Sequence, residues 1–270
     1  MPPPSAAPTL EALAVKLAKE GPHKTLPTPR LVQILHNGVY IVRTTGAAFV
    51  WEVPYYPQLY VPASALTSEG LQVSVRDEIK SDDGKVVAHR LTLKVGSKST
   101  DECIRFADDL TGSGKSLAGL VKITFNAVDQ WFEEATPIYI HPRDPFKRID
   151  ILQSTRPVKI SVQGVTVAET TSSMHLYETG LPCRFYFPLT DVKPGTLVRS
   201  DLKTGCPYKG EAEYYSVDLG EGRVAKDVVW YYTRPTLECA KIEGLVCFYN
   251  EKVDIELDGK KLEKPVSPFS

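Results

Sequence analysis

The sequence predicts a mainly β protein: two similar small β domains produced by an internal duplication, with a short N-terminal helix. Three observations carry that expectation. Apolar and polar residues alternate at period two through most of the chain, punctuated by 18 glycines and 21 prolines, as strands joined by turns require. Helical spacing stands out at Leu10, Leu13 and Leu17. Finally, "RLVQILHNGVYIVRTTGAAFVWEVPYYPQLYVP" (30–62) lies over "RPVKISVQGVTVAETTSSMHLYETGLPCRFYFP" (156–188) without a gap, at a constant offset of 126 and with ten of 33 positions identical.

The helix is bounded by Thr9 as N-cap and by Gly21-Pro22 as its stop. Residues 1–25 therefore read as leader and helix, 26–152 as a first, degenerate repeat, and 153–270 as a second repeat carrying the candidate site. The copies share Gly38 with Gly164, Thr44-Thr45 with Thr170-Thr171, Glu52 with Glu178, Tyr60 with Tyr186 and Pro62 with Pro188. Further on, "WFEEATP" from Trp131 resembles "WYYTRP" from Trp230, and "KRIDIL" from Lys147 resembles "KVDIEL" from Lys252. On this alignment the first copy inserts a hairpin, "LQVSVRDEIKSDDGKVVAHRLTLKV", turning at Asp83-Gly84.

Composition narrows the function. A chain of 270 residues with 42% hydrophobic content can bury substantial cores. Its 32 basic residues balance 33 acidic ones, so no global field recruits nucleic acid or an anionic membrane. The expected partner is a small-molecule substrate, and the oligomeric state is left open. There is no basic leader followed by an apolar run and no stretch of ~18 apolar residues, so a cytoplasmic protein is expected. Five cysteines without a C-x-x-C pair speak against a disulfide framework and a thiolate zinc site. With histidines scattered and H-E-x-x-H absent, neither metal nor other cofactor is expected.

The stretch "DDLTGSGKSLAG" (108–119) ends like a phosphate loop. Such a loop needs glycine where Asp109 stands, a buried strand before it and a helix after it. Here "LAGLVKITFNAV" follows, with β-type alternation, so a glycine-rich hairpin turn is expected and Lys115 is a solvated lysine. Its expected counterpart in the second copy is "VDLGEGR".

"HPRDPFKRIDIL", "VTVAETTSSMHLYETGLPCRFYFP", "CPYKGEAEYYSVDL", "DVVWYY" and "IEGLVCFYNEKVDIELDG" together resemble the tandem form of domain-of-unknown-function family 427. That resemblance implies a small, mainly β domain without an agreed activity, sometimes labelled nucleotidyltransferase-like. Where the second copy has Cys206-Pro207-Tyr208-Lys209-Gly210 the first offers "CIRFA", and Gln58 replaces Arg184.

The candidate site follows from parity. In "CRFYFP", Cys183, Phe185 and Phe187 share the core face while Arg184 and Tyr186 share the other, with Glu178 brought near if "TGLP" folds back. Such a trio can bind a carboxylate or enolate and move a proton, or it can be a Glu–Arg ion pair holding a loop. Lys209 is an oxyanion or carboxylate contact. Cys206 is either a nucleophile activated by Lys209 or a structural thiol. Tyr208 is a substrate contact or packs beneath its turn, and Trp230 and Tyr232, with Tyr214, Tyr215 and Tyr231, offer an aromatic wall for a flat ligand or build a plain β core. His141 and Arg143 are further substrate contacts or parts of a proline-fixed turn. Two function classes follow. One is a cofactor-independent enzyme of a biosynthetic pathway, of the cyclase, isomerase or lyase type, promoting cyclisation, enolisation or pyrone-like lactone formation on a conjugated or acidic metabolite. The other is a non-catalytic metabolite- or peptide-binding module.

Overall fold

The computed structural model describes residues 8–267, and the chain divides into two compact units at the Asp144–Pro145 bond. The first unit holds helix α1 (Leu10–Glu20) and strands β1 (Lys24–Pro27), β2 (Val32–His36), β3 (Val39–Thr44), β4 (Ala48–Val53), β5 (Tyr56–Pro62), β6 (Leu71–Lys80), β7 (Val86–Val95), β8 (Lys98–Phe106), β9 (Leu120–Ile123), β10 (Gln130–Glu133) and β11 (Thr136–Ile138). The second holds β12 (Ile149–Ser154), β13 (Val158–Val162), β14 (Val165–Thr170), β15 (Ser173–Glu178), β16 (Arg184–Phe187), β17 (Leu197–Cys206), β18 (Gly210–Asp218), β19 (Val224–Tyr231), β20 (Val246–Phe248), β21 (Asp254–Leu257) and β22 (Lys260–Lys261).

Each unit contains the same pair of sheets. In the first, a seven-stranded sheet runs β1-β4-β5-β9-β8-β7-β6 and a four-stranded one β11-β10-β2-β3. The second repeats them as β12-β15-β16-β20-β19-β18-β17 and β14-β13-β21-β22. The duplication extends to backbone detail. Asn37 and Gln163 both have φ 48°, followed by Gly38 and Gly164 at 76° and 81°, since a two-residue hairpin turn needs left-handed central residues. The strands they join carry the same bulge, at Ile34/Leu35 and at Ile160/Ser161.

The 126-residue offset persists beyond Pro62, and this corrects several sequence correspondences. β6 and β17 coincide under it residue for residue, so the hairpin read as an insertion is the counterpart of β17–β18. The partner of Cys206-Pro207-Tyr208-Lys209-Gly210 is therefore Lys80-Ser81-Asp82-Asp83-Gly84, not "CIRFA", which lies on and just after β8. Trp131 sits on β10 in a four-stranded sheet, Trp230 on β19 in a seven-stranded one. "KRIDIL" holds most of β12 and "KVDIEL" the whole of β21, again in different sheets. Because β12 pairs with β15, the second unit begins a strand before the boundary expected at 152/153.

Two layers of core form in each unit. Between its sheets the first buries Val32, Ile34, Phe49, Trp51, Leu91 and Trp131 among others. Over the other face of the larger sheet lie Leu10, Leu13, Ala14 and Leu17 of α1, with Val50, Tyr60, Ile104 and Phe106. The helix starts where Thr9 accepts the Ala12 N–H at 3.2 Å and stops at Gly21, φ 78°, whose N–H donates to the Leu17 carbonyl. Each leucine it buries contributes about 1.5–3 kcal/mol.

The phosphate-loop-like stretch belongs to this packing. It lies in the connection between β8 and β9, as a six-residue 3-10 turn, Gly112–Leu117, rather than in the tight hairpin turn expected. The matching β19–β20 connection also contains a six-residue 3-10 turn, Leu237–Ile242. "VDLGEGR" instead makes the β18–β19 turn, where Leu219 N–H donates to the Arg223 carbonyl. A strand, β9, follows the glycines where a nucleotide site needs a helix, and Lys115 is exposed. Gly114 is buried against α1: a Cβ built there would lie 2.6 Å from the Ala18 carbonyl oxygen.

One histidine of the first unit breaks the rule that buried polar groups are paired. His36, at the end of β2, is fully buried and no protein group bonds either ring nitrogen. Burial lowers its pKa below 6.5, Lys98 lowers it further, and Asp129 opposes both. The unfolded chain takes up this proton more readily, so the neutral ring's contribution is complete above pH 6.5 and is lost as pH falls below it. His36→Leu is therefore expected to flatten the fall in melting temperature between neutral pH and pH ~5. Parallel slopes in thermal melts of the two proteins would refute it.

Candidate functional site

The parity expected for β16 is present, but both of its faces are buried. Phe185 and Phe187 join the core between the second unit's sheets. Tyr186 joins a second cluster with Leu176, Tyr214, Trp230, Tyr232, Cys239 and Cys247. The face expected to open to a ligand is thus another packed layer. Tyr186 has no exposed surface, and its hydroxyl accepts the Trp230 indole N–H at 3.1 Å. Burial raises its pKa well above 10.

Two ion pairs lie in this layer. Strand register places Leu176 opposite Arg184, so Glu178, two residues further along β15, points to the same face. Arg184 nevertheless does not take Glu178 as partner. It donates from both terminal nitrogens to Glu251, at 2.8 and 2.7 Å, and its guanidinium lies 5.6 Å from the Trp230 ring centroid. The paired side chains are 8% and 4% exposed. Burial opposes the charge on Arg184, but its bonds to Glu251 outweigh it and hold the pKa above the ordinary arginine value. Burial likewise pushes Glu251 up, and its bonds from Arg184 and Ser267 bring it below 4.5.

Glu178 pairs with Lys209 instead. Lys209 lies in the turn between β17 and β18, which is tied to the chain before Leu237. Thr236 donates its N–H to the Lys209 carbonyl at 3.0 Å and its hydroxyl to the Tyr208 carbonyl at 2.6 Å. Gly210 follows with φ 105°, 3.0 Å from the Arg234 carbonyl when a Cβ is built on it, so a side chain there would meet backbone. The turn therefore aims Lys209 inward, and Lys147 approaches the other oxygen of Glu178 at 3.8 Å. Burial disfavours the Lys209 ammonium, but Cys206 and Glu178 offset this and hold its pKa above 10.5. The Cys206 sulfur is 3.9 Å from the Lys209 nitrogen, and Cys206 and Tyr208 are partly exposed.

The remaining candidates divide. Trp230 and Tyr232 are core residues, which fits the plain β-core reading of these aromatics. His141 and Arg143 fall in the first unit, where His141 stacks on Tyr56 with ring centroids 4.6 Å apart. The sequence missed Glu251 and Lys147 as partners, because side chains 67 residues apart in Arg184 and Glu251 leave no local signal. It also missed a first-unit counterpart. Glu52 pairs with Lys122 on β9 and accepts the Tyr60 hydroxyl at 3.0 Å. Burial, then Glu52, raises the Tyr60 pKa well above 10.

Two copies of one seven-plus-four-stranded unit, each holding a carboxylate against a buried lysine on the face away from its smaller sheet, define a tandemly duplicated β protein. The chain belongs to the family described as Domain of unknown function (DUF427), whose pattern matches residues 24–134 and 150–259. No similar curated protein was found. Among the described residues no helix is long and apolar enough to cross a membrane.

Proposed function

We propose that the second unit is a cofactor-independent acid/base site of the cyclase, isomerase or lyase type, acting on a small conjugated metabolite in the cytoplasm. The observation that carries this reading is the buried Glu178–Lys209 pair beside the half-exposed Cys206. At the turn position where the first unit has solvent-facing Asp83, the second has an inward lysine. Enolisation, cyclisation and lactone formation all build charge on an oxygen, and a fixed ammonium stabilises that charge without reorganising. Glu178 is then the carboxylate that moves the proton, and Arg184, spent on Glu251, positions Trp230 rather than contacting substrate.

Comparing metabolites of cells with and without the protein supplies the substrate. With it, Lys209→Met is expected to lower kcat by about 10²–10³, and Glu178→Gln by about a hundredfold or more. Asp83→Asn, in the first unit, leaves kcat unchanged. Full turnover by Lys209→Met with an intact fold would end this reading. The internal satisfaction of Arg184 and Tyr186 favours a second reading, a non-catalytic binding module. Saturable binding of the accumulated metabolite without conversion would establish it.

A further inference from the structure

The two units differ in the charge they bury around one equivalent glutamate. In the first, Glu52 faces a single lysine, Lys122, and a neutral tyrosine, Tyr60. That group sums to zero. In the second, Glu178 serves two lysines, Lys209 on Oε2 and Lys147 on Oε1. One carboxylate against two ammonium groups gives these three side chains a net charge of +1, with Glu178, Lys209 and Lys147 only 6%, 11% and 18% exposed. Both lysines are particular to this unit: under the 126-residue offset their positions fall at Asp83 and Gly21.

We infer that Lys147 and Lys209 form an anion-binding subsite that seats a carboxylate or phosphate group of a small ligand, with Glu178 as the post that holds both ammonium groups in place. The inference rests on the reading that this site is functional, and it names what the substrate must present. An enclosed net positive charge is costly. A ligand oxyanion arriving between two already oriented lysines removes that cost and gains charge-assisted hydrogen bonds. Lys147, the least enclosed of the three, is on the side from which the anion approaches.

Calorimetric titration of the full chain with acetate, benzoate and inorganic phosphate, at matched ionic strength with chloride, tests this. Saturable binding of one anion per chain is expected, weakened about tenfold or more by Lys147→Gln and unaffected by Lys80→Gln in the first unit. Preference between benzoate and phosphate identifies which oxyanion the ligand carries. No saturable binding, or binding indifferent to Lys147→Gln, overturns the inference, as does thiolate absorbance from Cys206 at neutral pH that vanishes in Cys206→Ser, because the thiolate would then balance that net charge. Anion binding without metabolite turnover leaves the subsite standing and removes the catalytic reading. Turnover unaffected by Lys147→Gln, with no anion bound, does the reverse.

Discussion

Arg184→Gln is expected to destabilise the second unit by about 3–5 kcal/mol, the usual cost of removing one partner from a buried ion pair. The substitution reproduces what the first unit has at the equivalent Gln58, so the repeat by itself suggests a harmless change. The structure indicates the opposite. Glu251 would stay buried with its charge and lose two hydrogen bonds, keeping the Ser267 hydroxyl at 2.6 Å, and Trp230 would lose the cation over its ring. Chemical denaturation followed by tryptophan fluorescence measures the loss, and Arg184→Gln combined with Glu251→Gln should recover part of it, because the stranded charge is then gone. An unchanged midpoint for the single variant would show that the pair contributes nothing. Since Arg184 holds Glu251 below 4.5, the pair's contribution is present above that pH and is lost as pH falls through the folded value.

Gly114→Ala is expected to destabilise the first unit by about 1–3 kcal/mol, the typical cost of forcing an extra carbon into a packed interior. The added methyl would meet the Ala18 carbonyl oxygen at 2.6 Å and its Cα at 2.9 Å. Both are backbone atoms of α1, so the helix must shift off the sheet and loosen the layer containing Leu13 and Leu17. Lys115→Ala, one residue on and exposed, should change neither stability nor the calorimetric response to ATP with magnesium. A saturable nucleotide response abolished by Lys115→Ala would restore the phosphate-loop reading, and a Gly114→Ala protein melting like the parent would show that the contact carries no strain.

The site was legible in part. Gly38, Glu52, Tyr60 and Pro62 recur in the second copy because turn geometry, burial and strand register constrain them together, and that exposed the duplication. The correspondences drawn beyond Pro62 failed where such constraints are weak. β6 is exposed along nearly its whole length, and apart from Leu71 and Ile79 no core selects its side chains, so "KSDDG" and "CPYKG" share a turn without looking alike. Matching tryptophans pointed to unrelated strands, because a buried indole fits either sheet of this unit.

The amino-acid sequence by itself determined the fold class, the helix with its cap and stop, the duplication and its family, since these rest on periodicities of two and 3.6 and on residues repeated at a fixed offset. Only the tertiary structure decided who pairs with whom. Arg184 could be placed on the right face by parity, but its partner was set by the strand pairing that brings Glu251 to it. Lys209 reaches Glu178 because the residues around Thr236 hold its turn against the sheet, and Lys147 joins them from before the first strand of the unit. Charge in a folded chain is balanced across space. A sequence read one residue at a time carries the charges and leaves their balance to the fold.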